Sequence, residues 1–233
     1  MASGPTPHTA PTDHAHGAVV VIGGGTLSPS AVARARSAVD AGAVVIAADS
    51  GLDHAVESNL RPTMLVGDLD SISAAGRMWA YAHEVEVHEY PTDKDFTDTE
   101  LAIELALERA AGGGLLVIGG IDLGDPRLDH VLGTFAALGH ESLAGFSTVE
   151  AIIGTDEVHI VHGGRTAVVN IDAGQTFSLL ALHGPAEGVT TVGARWPLTS
   201  ATLQANRARG VSNIADGPVT LTVGTGVLTM VIP

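Results

Sequence analysis

The chain has no cysteine, a single lysine and eight aromatic residues in 233 positions. Without cysteine there is no disulfide scaffold, no thiolate zinc site and no cysteine nucleophile. The same absence is compatible with a reducing compartment, and a cytoplasmic location is the expectation. Positive charge is also scarce: 11 Lys and Arg stand against 26 Asp and Glu, a net charge of −15. Nucleic acids and anionic membranes both require a basic footprint, so neither is expected as a partner. No uncharged apolar run reaches the roughly 20 residues of a membrane-spanning helix. Residues 1–17, rich in Pro, Thr, Gly and His, lack the apolar stretch of a secretory signal and read as a disordered tail.

What remains is ample for a core, since 45% of the residues are hydrophobic. From Ala18 onwards short apolar runs alternate with helical patterns. Ala18–Ile22 ends in Gly23-Gly24-Gly25, and Ser28-Pro29 reads as a helix cap followed by proline at the first helical position, with Gly42 closing that helix. Ala43–Ala48 ends at Asp49-Ser50-Gly51, and Thr63–Val66 ends at Gly67-Asp68-Leu69-Asp70. Val85–His88 is a further short strand. A helix is expected from Thr97 or Asp98 to about Ala110, a buried strand at Leu115–Ile118, and a helix after Asp129 to about Leu143. This alternation predicts a mainly parallel sheet with helices on both faces over residues 18–145. Past Phe146 the helical period stops. Short Val/Thr/Ile/Leu runs recur between turn residues, so 146–233 is expected to form an all-β sandwich.

The acidic residues are not spread evenly: residues 45–130 carry 17 of the 26 carboxylates. In open α/β sheets ligands bind where the loops leave the carboxyl ends of the strands, and Asp49, Asp68, Asp70, Arg127 and Asp129 all fall there. Asp68 and Asp70 suit a hard divalent cation such as Mg2+, completed by water and phosphate, although Gly-Asp and Asp-Ser are also ordinary turn formers. Asp95 and Asp98 arrive from a second loop, where one of them, or Thr97, can instead cap the helix. Lys94, flanked by Asp93 and Asp95, has the character of a phosphate point charge, and Arg127 that of a phosphate clamp. The Gly23–Gly25 turn can present backbone N–H groups to a phosphate, but it matches neither standard glycine-rich nucleotide motif.

Five segments, in order, resemble the thiamine pyrophosphokinase family: Ala48-Asp49-Ser50-Gly51, Gly67-Asp68-Leu69-Asp70-Ser71, Lys94-Asp95-Phe96-Thr97-Asp98, Arg127-Leu128-Asp129-His130 and Ser212-Asn213. The resemblance runs from about Val20 to the C-terminus. It implies a Rossmann-like α/β domain followed by a β-sandwich, and transfer of a pyrophosphoryl group from ATP to the hydroxyl of thiamine, with Mg2+, leaving AMP. It further implies that Asp68, Asp70 and Asp98 hold Mg2+ and the triphosphate. Asp49, Ser50, Gly51, Lys94 and Arg127 would contact the nucleotide, with Asp95 or Asp129 completing the acidic cluster. Ser212 and Asn213 would bind thiamine at a homodimer interface. The chain departs from the family pattern at Asp125-Pro126, where two glycines are usual, at Ser50, and at Leu228, where some members carry a stacking tryptophan. Trp196 is the candidate replacement for that ring, a core position being the other reading. Two other readings stay open on the residues alone: a pyrophosphokinase for another hydroxymethyl acceptor such as a pterin, or a nucleotide- or thiamine-binding regulator without turnover.

Overall fold

A computed structural model describes residues 17–119 and 127–233. The segment read as a disordered tail, Gly17 excepted, lies outside the described residues, as does the stretch 120–126 with Asp125-Pro126. Six strands form a parallel sheet: β1 (Val19–Ile22), β2 (Val44–Ala48), β3 (Met64–Gly67), β4 (Glu86–Glu89), β5 (Gly114–Gly119) and β6 (Thr148–Ile153). Their order is β6-β5-β1-β2-β3-β4, with every neighbouring pair parallel. The chain therefore winds outward from β1 in one direction and resumes on its other side at β5. The resulting topological switch point lies between β1 and β5.

The all-apolar strands are explained by burial on both faces. Val19 and Val21 pack into one core and Val20 and Ile22 into another, all fully buried. The first core is closed by α4 (Asp98–Ala110) and α5 (Leu128–Leu138), the second by α1 (Pro29–Asp40). Each large aliphatic side chain so buried contributes about 1.5–3 kcal/mol. Ser28 caps α1 by accepting the Ala31 N–H, with Pro29 behind it, as the sequence predicts. Thr97 caps α4 in a reciprocal box with Glu100.

Two helices escape the sequence reading, α2 (Gly51–Glu57) and α3 (Ala74–Ala82). With 7 and 9 residues they are too short to show a helical period. Helix α5 also stops earlier than expected. It ends at Leu138, with Gly139 as its cap, and a 3-10 turn covers Glu141–Gly145. The reason is local: the His140 ring accepts the Ser142 N–H and starts the turn anew.

Beyond β6 the sheet continues with antiparallel partners. β7 (Asp156–His162) pairs with β6, β13 (Val227–Ile232) with β7, and β9 (Thr176–Leu180) with β13. The path then runs through β12 (Gly210–Val223) and β10 (Ala186–Ala194) to β11 (Ala201–Leu203), while β8 (Arg165–Val169) also pairs with β12. These strands enclose a separate core around Phe177, Leu179, Leu221, Leu228 and Met230. β10, β11 and the first half of β12 have no continuous apolar run, because Glu, Gly and Thr interrupt the first two and Ser, Asn and Asp the third.

Candidate active site

The carboxylates converge at the carboxyl ends of β2 and β3. Asp49 follows β2, and Asp68 and Asp70 follow β3; one carboxylate oxygen from each lies within 4.8 Å of the others. The backbone there is unusual. Asp49 has φ 46°, Leu69 φ 64° and Gly67 φ 145°. A left-handed conformation costs an L-residue about 1–2 kcal/mol, so these turns are held by their surroundings. Gly67 serves a second purpose, since a Cβ there would sit 3.1 Å from Asp98 Oδ1 and 3.2 Å from Asp49 Cβ. Its bare backbone is what lets the two carboxylates approach.

Lys94 binds this cluster together. Its ammonium lies 3.5 Å from Asp68 Oδ2 and 3.2 Å from Asp98 Oδ1. Burial alone would lower the lysine pKa, but the hydrogen bonds and charges of Asp98 and Asp68 outweigh it, and the net shift is upward. Asp68 moves below the ordinary carboxylate value. The Asp70 N–H bonded to it is the largest contribution, outweighing burial, and Lys94 and Thr92 add to it. Asp49 moves the other way: burial raises it most, and the charges of Asp98 and Asp68 raise it further against the bonding of Ser71 and Ser50. Asp49 Oδ1 is buried without a hydrogen-bond partner, while Asp98 Oδ1, also buried, faces the Lys94 ammonium at 3.2 Å. Three crowded carboxylates, one with an unmet buried oxygen, are a donor set that fits a hard divalent cation.

Of the residues singled out in the sequence, Asp49, Asp68 and Asp70 form the closest group, and Asp98 stands across Lys94 from Asp68. Ser50 precedes α2 and faces the glycine turn, its hydroxyl 2.8 Å from where a Cβ on Gly24 would be. Gly51 opens α2 against β1, where any Cβ would lie 2.1 Å from the Ile22 carbonyl oxygen. Its place is dictated by packing. Arg127 and Asp129 pair with each other at the start of α5 through two bonds of 3.0 and 2.7 Å. The Arg127 bond, first among the causes, holds the Asp129 carboxyl down at about 2. Asp95 is exposed and has no partner among the described residues. Ser71, Thr92 and Thr99 were missed; Thr99 Oγ1 lies 3.5 Å from the Cβ position of Gly23. Single hydroxyls carry no spacing signal that could have found them.

A second recess of about 390 Å³ brings together Trp196, Ser212 and Asn213, with Leu179, Leu198 and Arg209. Trp196 is 57% exposed, a surface ring rather than a core residue, and the Arg195 guanidinium lies 6.0 Å from its centroid. Asn213 is buried and clamps the Trp196 backbone at both N–H and carbonyl, with bonds of 3.2 and 2.9 Å. Ser212, exposed at φ 61°, is the open polar edge of the recess. Leu228 is fully buried in β13 and offers no surface to a ligand.

A parallel sheet carrying carboxylates and one lysine beyond the carboxyl ends of its strands, joined to a β-rich half with its own recess, defines a two-part class of α/β-plus-β proteins. Comparison with known proteins narrows this class. Residues 35–145 match the family described as "Thiamin pyrophosphokinase, catalytic domain". Residues 165–228 match "Thiamin pyrophosphokinase, vitamin B1 binding domain". The chain belongs to the thiamine pyrophosphokinase family, whose members are transferases. A curated thiamine pyrophosphokinase of Bacillus subtilis is 24% identical over 187 residues, covering 80% of this chain and 85% of that protein. The fold is that of the B. subtilis crystal structure, with a TM-score of 0.75 at 22% identity over 92% of this chain and 97% of the other. The yeast enzyme, at 15% identity, covers 95% of this chain and 87% of its own with a TM-score of 0.70.

Proposed function

We propose that the chain transfers the terminal diphosphate of ATP to the hydroxyl of thiamine, releasing AMP and thiamine diphosphate. The observation that carries this reading is the meeting of Asp49, Asp68 and Asp70 beside a lysine held between Asp68 and Asp98. Asp49, Asp68 and Asp70, with Asp98 adjoining, would hold Mg2+, which supplies charge neutralisation for the triphosphate. Lys94 stays an ammonium throughout the working pH range and offers its charge to a phosphate oxygen. Arg127, kept in place by an ionised Asp129, stands ready as a second phosphate contact. Ser50 and the Gly23–Gly25 turn leave the backbone open to close approach beside the switch point. The protein's share of catalysis is positioning and electrostatics, as in phosphoryl transfer generally.

The match to a vitamin B1 binding domain favours thiamine over a pterin as the acceptor. Trp196, Ser212 and Asn213 are the residues to which we assign it. Geometry then supports a homodimer. From β9 beside this recess, six pairing steps through β13, β7, β6, β5 and β1 lead to β2, on the order of 30 Å along the sheet at about 4.8 Å per strand. A homodimer in which the recess of one copy faces the carboxylates of a second would bring the two together.

The test is to incubate the chain with ATP, Mg2+ and thiamine and to separate the nucleotides. AMP in step with thiamine diphosphate, and no ADP, is expected. ADP, or no thiamine-dependent nucleotide turnover, would overturn the reading.

A further inference from the structure

The cation-holding carboxylates come from two separate loops, Asp49 from the one after β2 and Asp68 and Asp70 from the one after β3. To share an ion, the loops must be fixed relative to each other. One direct link between their continuations is visible away from the cluster. Asp53, in the first turn of α2, accepts the Ser73 backbone N–H at 2.8 Å and the Ser73 hydroxyl at 2.6 Å. Ser73 in turn caps α3, its hydroxyl oxygen accepting the Gly76 N–H at 2.9 Å. Asp53 lies four residues beyond Asp49, and Ser73 three beyond Asp70.

Two further observations show that the molecule makes room for this link. Gly76 lies within α3, where glycine weakens a helix relative to alanine. A Cβ there would sit 2.3 Å from Asp53 Oδ1, so the glycine is the space the carboxylate occupies. The span from Gly67 to Ser73 also carries the left-handed Leu69, whose carbonyl is held by the Arg77 guanidinium. A loop bent in this way needs both ends fastened. Strand β3 holds one end, and Asp53 holds the other.

We infer that Asp53 is a positioning residue for cation binding: it touches neither ion nor substrate, and sets the spacing between Asp49 and the Asp68–Asp70 pair by tying α2 to the entrance of α3. The inference rests on the reading of those carboxylates as the cation site.

The experiment is a titration of the full chain with Mn2+ alone, following free Mn2+ by electron paramagnetic resonance, with thermal unfolding measured in parallel. Wild type is expected to bind Mn2+ and Asp70→Ala to lose that binding. Asp53→Ala should weaken Mn2+ about tenfold or more, the usual scale for outer-shell partners, and Asp53→Asn should recover most of it because the amide still bonds Ser73. Gly76→Ala is the second variant. Its Cβ would displace the Asp53 carboxylate, so positioning predicts Mn2+ weakened about as much as in Asp53→Ala, whereas a merely structural role predicts a lower Tm with unchanged Mn2+ affinity. If Gly76→Ala and Asp53→Ala bind Mn2+ like wild type, the inference is overturned while the site reading stands. If wild type binds none, or Asp70→Ala binds as well as wild type, the site reading falls and the inference with it.

Discussion

Asp49 and Lys94 show how one cluster shifts neighbouring groups in different directions. Burial and the charges of Asp98 and Asp68 make an ionised Asp49 unfavourable, so without a cation this residue opposes folding at neutral pH. The sign follows from linkage. A carboxyl whose folded pKa is raised contributes stability that is fully present below its ordinary value of 3.8 and is lost as pH rises through the folded value. Asp49→Asn should therefore raise the Tm of metal-free protein by a few degrees at pH 7, with the gain vanishing as pH falls below 3.8. Melting curves in chelator across that range would check it. The same variant should lose most turnover, since it removes one of three charges offered to the ion. Lys94 was legible in the sequence because it is the chain's one lysine. Its partner Asp98 stands four residues on, in the same segment; its partner Asp68 was not legible, since it lies 26 positions away and only the fold brings it within reach.

Helix α4 is the element that joins local sequence to the site. Its start, Thr97 with Glu100 three residues on, could be read directly from the chain, and its end at Ala110 agrees with expectation. The cap also sets the first turn, from which Asp98 reaches Lys94 and faces Gly67. Thr97→Ala should cost about 1 kcal/mol of stability, measurable in urea, and should lower turnover by more than that loss explains, because Asp98 sits on the frayed turn. Equal activity at saturating ATP and Mg2+ would separate the cap from the site. Helices α2 and α3 illustrate the opposite case. Neither has a strong local signal, yet their opening turns carry Asp53 and the Ser73 cap, and Gly51 and Gly76 sit in them for reasons of contact. A glycine inside a helix looks like a weakness until the atom occupying its missing Cβ position is known.

At the scale of the whole molecule, one sheet runs from the acidic edge at β2 and β3 to the recess beside β9 and β12. If catalysis needs both, and they come from different copies, two inactive variants should rescue each other. Asp70→Ala spoils the cation site, and Ser212→Trp fills the recess. A mixed dimer of the two has one site with both defects and one with neither. After subunit exchange, the mixture should recover about a quarter of wild-type turnover, because about half the dimers are mixed and each keeps one site in two. No recovery in a mixture shown to have exchanged would place both halves of the site in a single chain.

The sequence by itself determined the alternation of buried strands and helices, the caps of α1 and α4, and the residue types gathered at the strand ends, because periodicity, capping and turn chemistry act over a few neighbouring positions. It also carried the family's segments in order, which fold and comparison place in one lineage. Only the tertiary structure decided which carboxylates meet. Asp49 joins Asp68 and Asp70 while Asp98 turns to Lys94, because β2 and β3 are neighbours in the sheet and Gly67 leaves the gap through which Asp49 and Asp98 approach. Distances of a few ångströms between residues nineteen or more positions apart are set by packing, and packing has no local trace in the chain.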